Sequence, residues 1–194
     1  NDALLLADVA LDDQKYNTNC ADVTWETSSM RSWLNGYGAS VNQPKTDYSR
    51  KNFINSAFTS TQRNAIKTTN VVNNSNIYYG TAGGNNTSDK VFLLSESEVY
   101  PTGTAADYGF VKDINDEARR SRCSTYAYAM GTWRSYDTDA EPTEYNGNTW
   151  WWLRSPGNGS DAAGTVHWDG WINSDGYDVS YDSDGVRPAL YLKF

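Results

Sequence analysis

The sequence predicts a single α+β domain. Three observations carry this. Short segments with helix caps occupy the first hundred residues. Two apolar strands lie near residues 150–154 and 186–192. The segment between those strands is too rich in Asp, Gly and Ser to be helical. The expected architecture is a small, mostly antiparallel sheet with flanking helices and long irregular loops. A length of 194 residues suits one domain. It divides into a scaffold, 1–149, and a C-terminal region, 150–194.

Taken in order, Ala3-Leu4-Leu5-Leu6-Ala7 is a short apolar run and reads as a buried strand. Thr27-Ser28-Ser29 precedes an apolar stripe at Met30, Trp33 and Leu34, and Gly36 follows, which is a helix with a polar start and a glycine stop. Phe53, Ile54, Ala57 and Phe58 stand at helical spacing. Thr59-Ser60-Thr61-Gln62 is a capping-box pattern opening a helix that carries Ala65 and Ile66. Residues 73–89 are polar and glycine-rich and read as a long surface loop. Lys90-Val91-Phe92-Leu93-Leu94 is a buried strand running into Ser95-Glu96-Ser97-Glu98, a second capping box that opens a short helix limited by Pro101. A helix is expected over 113–129, around Ile114, Ala118, Arg119 and Arg120, with Tyr126 and Tyr128 weakening it. Trp150-Trp151-Trp152-Leu153-Arg154 and Val186 to Phe194 are the closing strands. Arg154 and Arg187, each in apolar surroundings, are expected to be partly buried and paired.

Composition excludes several functions. The net charge is −8, and no cluster of basic residues offers the positive face a nucleic-acid binder needs. No apolar run approaches the roughly 20 residues of a membrane span, so direct membrane insertion is not expected. The chain opens at Asn1-Asp2-Ala3 without a start Met or a secretory signal, so a processed or trimmed N-terminus is expected and the compartment is not readable. Acid excess is mostly Asp, 18 against 6 Glu, which favours turns. Disorder is opposed by aromatic content of 14%, with 8 Trp and 14 Tyr able to build a core. Cys20 and Cys123 make neither a metal site nor a disulfide framework; two buried thiols are expected, with one bridge as the alternative.

Residues 158–184 are different in kind. These 27 positions hold 6 Asp, 4 Ser, 4 Gly, 2 Tyr, 2 Trp, 2 Asn and the only His, and no Lys, Arg, Glu, Gln, Leu or Met. Such a segment cannot fill a core and reads as a surface held between two packed strands. Calcium is one possible ligand, through Asn173-Ser174-Asp175-Gly176 and Asp182-Ser183-Asp184-Gly185. A loop starting at Ser180 would put Tyr191 where the twelfth-position Glu is required, so that match fails and hairpin turns explain the same residues. A general base is another reading, since His167 and Asp169 would share a strand face. No nucleophile signature, oxyanion motif or phosphate loop accompanies them. The third reading is a binding face, because Tyr, Trp, Ser, Gly, Asn and Asp are the palette of an antibody paratope. Trp168, Trp171, Tyr177 and Tyr181 are its expected anchors. Trp150, Trp151 and Trp152 could form a sugar-stacking platform, but strand neighbours face opposite ways and at least one belongs in the core. Glu141-Pro142-Thr143 is a weak relative of the Glu-Pro-Asn motif of calcium-dependent sugar-binding lectins, lacking the amide at Thr143.

The motifs Trp25-Glu26, Ser29 to Asn35, Ala57-Phe58-Thr59, Asp89 to Ser95, Trp151 to Gly157 and Gly185 to Leu190 occur in the order found in a bacterial and phage domain family of unknown function, which the chain resembles over nearly its whole length. That family includes variable proteins of diversity-generating retroelements, and the chain is similar to these. The resemblance implies a C-type lectin fold of the formylglycine-generating-enzyme type and a ligand-binding protein that is not an enzyme. It implies a surface rewritten by a reverse transcriptase with errors at template adenines. An AAC codon altered at its first two bases gives Asp, Ser, Gly, Tyr, His or Asn, but not Lys, Gln, Glu, Met or Trp. The composition of 158–184 fits except at Trp168 and Trp171. The diversified, ligand-binding positions implied are Gly159, Asp161, Gly164, His167, Ser174, Asp175, Tyr177, Asp178, Ser180, Tyr181, Asp182, Ser183 and Asp184. Ala162, Ala163, Val166, Gly170, Ile172, Gly176, Val179 and Gly185 form the fixed framework. The paired cysteines of the related sulfatase-activating enzymes have no counterpart, since Cys20 and Cys123 lie outside the C-terminal region. No cofactor, metal or catalytic residue is expected. The expected partner is a protein or glycan on a cell or host surface, met at a cell surface, outside the cell or on a virion. A calcium- or stacking-dependent carbohydrate module is the alternative.

Overall fold

The computed structural model describes residues 2–101, 108–113, 116–136 and 143–194. Their fold is mixed, mostly sheet with a few short helices. The strands β1 (Asp2–Leu6) and β2 (Asp12–Asp13) precede α1 (Ser29–Asn35), α2 (Phe53–Ala57) and α3 (Ser60–Ala65). Then come β3 (Ile66–Lys67), β4 (Thr69–Val71), β5 (Thr87–Asp89), β6 (Val91–Phe92) and α4 (Glu96–Val99). The chain closes through α5 (Thr125–Met130), β7 (Trp151–Pro156), β8 (Ala162–Val166), β9 (Ile172–Asp178), β10 (Gly185–Val186) and β11 (Ala189–Lys193).

The helices begin where the caps predict. The Ser28 hydroxyl accepts from the Arg31 amide at 3.1 Å, and α1 ends at Gly36 in the left-handed region. Thr59 and Gln62 bond each other reciprocally at the start of α3, at 2.8 and 3.3 Å. Glu98 reaches back to the Ser95 amide at 2.7 Å.

Two sheets share the core. In one, β11 pairs antiparallel with β1 on one side and with β3 and β6 on the other. The second runs β2-β10-β7-β8-β9, antiparallel except where Gly185 of β10 meets Trp151 of β7. A two-stranded ribbon, β4-β5, stands apart. Every residue of β7 is buried. Trp151 pairs with Val166 and Trp152 with Thr165, so the two indoles enter the core from opposite faces of the sheet. Each finds a carbonyl for its N–H, on Arg119 at 3.0 Å and on Gln14 at 3.1 Å.

The sequence motifs meet at two buried polar hubs. Asp89 is fully buried, and its carboxylate accepts from Arg31 Nε at 2.8 Å, Trp25 Nε1 at 3.0 Å, the Thr87 hydroxyl at 2.7 Å and the Tyr37 hydroxyl at 3.1 Å. Four donors satisfy a charge that would otherwise be expensive to bury. Arg154 Nη2 donates to Glu98 Oε1 at 2.8 Å and to the Val72 carbonyl at 2.9 Å, while Nη1 donates to the Leu93 carbonyl at 2.8 Å. Arg187 is buried too, but its partners are the carbonyls of Ala7, at 2.8 Å, and Arg119, at 3.2 Å, with its guanidinium over the Trp151 ring. Burial lowers its pKa to about 10.

Several expectations are corrected. The strand at Ala3–Ala7 is an edge strand rather than a buried one: Leu5 is 48% exposed, because β11 offers only one free side there. The strand at Lys90–Leu94 shortens to β6, although Val91 to Leu94 are all buried. Residues 113–129 are not one helix. A 3-10 turn spans Glu117–Arg119, Arg122 and Cys123 form isolated bridges, and α5 starts afresh from the Ser124 cap. The break follows from Arg119, which is fully buried and spends its donors on the carbonyls of Gly170, Val99, Val111 and Asp113. Ile114, like Glu141 and Pro142, lies outside the described residues. The loop at 73–89 ends in β5 and is not all surface: Asn73 and Asn76 are buried. Both cysteines are free. Cys20 is exposed rather than buried, with Sγ 3.0 Å from Asp178 Oδ2, and Cys123 is half-buried.

Candidate functional site

The segment 158–184 contributes two strands and three turns. Contrary to expectation, part of it fills the core: β8 is the inner strand of its sheet, and Ala163, Val166 and Val179 are fully buried. The outer strand β9 is half-buried to exposed along its length. It is held in place by Asn76, whose side-chain amide donates to the carbonyls of Pro156, Gly157 and Ser174 at 3.0, 3.2 and 2.8 Å. Gly176 bends the strand with a positive φ of 74°, and a Cβ there would lie 2.2 Å from the Ala163 carbonyl oxygen.

A cavity of about 340 Å³ lies between β9, α4 and the turn at Tyr78-Tyr79. Tyr78, Tyr79, Tyr100 and Trp171 supply its aromatic walls, with Glu96, Ser174 and Asp175 as polar groups. Trp171 is 42% exposed. The Tyr79 hydroxyl bonds the Asp175 carboxylate, and the Ser174 hydroxyl donates to Glu96 Oε1 at 2.6 Å. Burial raises the pKa of Glu96 against the lowering effect of that hydrogen bond. Arg119 also borders the cavity, but its charge is covered by backbone carbonyls. A cleft with several rings and a few convergent polar groups has the build of a ligand site.

A chain of rings runs along the other side of β9. Tyr181 stacks on Tyr177 with centroids 5.2 Å apart at 19°, and Tyr177 meets Trp150 at 5.2 Å. Trp150 meets His167 at 3.5 Å, His167 meets Trp168 at 5.0 Å, and Trp168 packs edge-on to Tyr145 at 4.9 Å. His167 and Asp169 do come together, with Nδ1 3.1 Å from Oδ1, but in the turn after β8 rather than on a strand. Burial lowers the pKa of His167, and Asp169 opposes that shift. The imidazole is thus packed against indoles, and Asp169 also caps the turn through the Trp171 amide at 2.9 Å.

Of the expected site residues, Asp161, Trp171, Asp175, Asp178, Tyr181 and Asp182 are exposed. Gly159, His167, Trp168, Ser174, Tyr177, Ser180 and Ser183 are half-buried. Gly164 and Asp184 are buried. Gly164 sits inside β8 between two strands, and Asp184 turns inward just before β10. The residues that sequence reasoning missed are Tyr78, Tyr79, Glu96 and Asn76. The signal was Ile77-Tyr78-Tyr79, three large apolar residues inside an otherwise polar loop.

The model of the Domain of unknown function DUF6273 matches residues 1–194. The chain belongs to the DUF6273 family. No curated protein matches the chain, and no solved structure does. Within this DUF6273 domain Trp25, Arg31, Asp89 and Arg154 serve the buried hubs. Among the described residues, no group of three or more His, Cys, Asp or Glu stands where it could hold a metal ion, and no helix is long and apolar enough to cross a membrane.

Proposed function

We propose that this DUF6273 domain is a non-catalytic recognition module. Its face is formed by β9, the turns at either end of it and the Tyr78-Tyr79 turn, and it takes a protein or glycan on a cell or host surface. The observation that carries the reading is the concentration of exposed groups on and beside β9, namely Trp171, Asp175, Asp178, Tyr181 and Asp182, while its partner β8 and the next strand β7 are locked into the core. Side chains there can change without disturbing what holds the strand. We further read the domain as a retroelement-diversified variable protein with a C-type lectin fold. Small, mostly antiparallel sheets and short helices are compatible with that fold. Asp161, Asp175, Asp178, Tyr181 and Asp182, all exposed, are residues an altered Asn codon can produce.

The DNA beside the gene tests the diversification. A near-copy of the codons for 150–194, differing almost only at adenines and adjoining a reverse-transcriptase gene, is the expected finding. Flanking DNA with no such copy overturns that part of the reading. A carbohydrate ligand is the second reading, favoured by Tyr78, Tyr79 and Trp171 standing around Ser174 and Asp175. Glycan-array binding that Trp171→Ala abolishes, with or without added calcium, would select it.

A further inference from the structure

A second, smaller hollow lies beyond Tyr177, at the far end of the ring chain. Its volume is about 170 Å³, the share of about five or six water molecules in the liquid. Trp133, Trp150, Tyr177 and Tyr181 line it together with Ser183 and Asp184. Tyr181 is 46% exposed and forms the outer wall; Asp184 is 2% exposed. Asp184 Oδ2 is buried and has no hydrogen-bond partner among the described residues. An acceptor left unmet in a dry site is costly, and a native structure rarely keeps one without a use.

We propose that this hollow binds a primary alkylammonium group, its methylene chain against the four rings and its N–H groups donated to Asp184. The inference deepens the recognition reading, and rests on it for the claim that this end of the segment meets a ligand. Aromatic faces carry negative potential and attract a desolvated cation, while the ring bodies suit an apolar stem. Ionised Asp184 at the base of such a cage supplies the counter-charge; burial and Asp13 raise its pKa to about 8, so the titrations are made at about pH 9, where both the carboxylate and an alkylammonium are charged. The chain does not supply the cation itself: Asp184 has no ion pair among the described residues, and Arg134 lies over the Tyr128 ring at 3.8 Å. The charge that acts on it is that of another acid, Asp13, which accepts from the Ser183 amide at 3.2 Å. The backbone is held to this shape at a cost. Ser183 takes a positive φ of 87°, which a non-glycine residue rarely adopts, and its amide and carbonyl are pinned by Asp13 and by the Trp133 amide at 2.9 Å. That turn directs Asp184 inward.

Oδ2 also selects among cations. A primary ammonium can donate to it; a trimethylammonium group cannot, and would leave it unmet. The same chemistry occurs in a free alkylamine and in a lysine side chain, and two probes separate them. The intact chain is titrated with n-butylammonium, Nα-acetyl-lysine methylamide, n-butyltrimethylammonium and n-butanol, following tryptophan fluorescence. Saturable binding of at least one primary ammonium is expected, the tighter of the two identifying the source. The trimethylated analogue should bind about tenfold or more weakly, and butanol should not saturate, since a charge-assisted hydrogen bond carries that much affinity. Asp184→Asn should lower the affinity by a similar factor. Tyr181→Ala, a change at a half-exposed ring, should also weaken it and does not depend on a buried substitution folding. No saturable binding, equal binding of the primary and trimethylated probes, or binding unaltered in both variants overturns the proposal. Trp171→Ala, in the other cavity, should leave alkylammonium binding unchanged. Failure of these titrations with a template copy present in the flanking DNA would overturn the ammonium site and leave the recognition reading standing.

Discussion

Strands β7 and β9 flank the same strand, β8, and are hydrogen-bonded into one sheet, yet they are opposite in character. All six residues of β7 are buried, two of them tryptophans entering the core from either face. None of the seven residues of β9 is fully buried. The difference lies in what covers each strand. β7 has strands on both sides and α4 and the N-terminal segment over its faces, whereas β9 ends the sheet with a cleft on one side and a ring chain on the other. Rigidity in β9 is therefore borrowed from its hydrogen bonds to β8 and from the Asn76 amide rather than from burial of its side chains. A strand can be fixed in place by its backbone while its side chains are left open to change.

The contrast predicts the largest losses at the β7 end. Arg154→Ala removes a guanidinium that serves Glu98, Leu93 and Val72 at once and leaves the Glu98 carboxylate unpaired. Breaking a buried pair costs about 3–5 kcal/mol, or roughly 10 °C in Tm for a domain of this size. Arg187→Ala should cost less, about 1.5–3 kcal/mol in all, because no carboxylate is stranded when it goes. Thermal melts of the two variants check the order. If both melt like the parent chain, the arginines do not hold the strand, and the account of β7 as the rigid member fails.

An intermediate effect is expected from the acids beside β2 and β10. Burial, with Asp13 adding to it, pushes Asp184 from 3.8 up to about 8; burial chiefly, with Asp182 and Asp12 adding and Lys15 and the Ser183 amide opposing, pushes Asp13 up to about 6. Tyr177, from β9, also faces Asp184, and its own pKa is raised. Both carboxyls bind protons more tightly in the folded chain than in the unfolded one. Their contribution is full below about pH 4 and is lost as the pH rises through 6 and 8. Over that window the loss is of order a few kcal/mol. Melts should fall between pH 5 and pH 8, and Asp184→Asn should flatten that fall. An unaltered pH profile in the variant would mean that Asp184 does not carry this penalty.

How far the sequence revealed this arrangement varied with the physical signal. Helix starts were legible at Ser28, Thr59 and Ser95, because a cap is local: one side chain and one amide three residues on. The closing strands and the burial of Arg154 and Arg187 were legible from apolar context. The split of 113–129 was not, because it depends on carbonyls as distant as Gly170 that Arg119 meets only in the folded chain. The candidate site was half legible. Its composition marked 158–184, but β8 and β9 differ by their places in the sheet, which composition does not encode, so the burial of Gly164 and Asp184 was not legible. Tyr78, Tyr79 and Glu96 join the cleft from other parts of the chain, and only a tertiary contact such as Asn76 to Ser174 brings them there.

The smallest effect is expected at the exposed positions, and it gives the sharpest test of the comparison. Asp161, Trp171, Tyr181 and Asp182 are exposed, and none of their side chains takes part in a hydrogen bond or ion pair to another element among the described residues. Ser174, Asp175 and Asp178 are different: they bond Glu96, Tyr79 and Cys20. Changing the first four together to Asn, Ser, Gly or Tyr should shift stability by less than about 0.5 kcal/mol per site, the usual scale for surface positions free of special contacts. The ring contacts of Trp171 with His167 and of Tyr181 with Tyr177 set the upper end of that range. Changing the second three should cost more, since each substitution leaves a partner without its bond. A cooperative melt close to the parent for the first set, and a lower one for the second, would mean that the turns around β9 carry a displayed layer while the polar side chains of β9 itself are fixed. Equal destabilisation by the two sets would make the flanking turns as structural as the strand, and the division between a rigid β7 and a displayed surface around β9 would be lost.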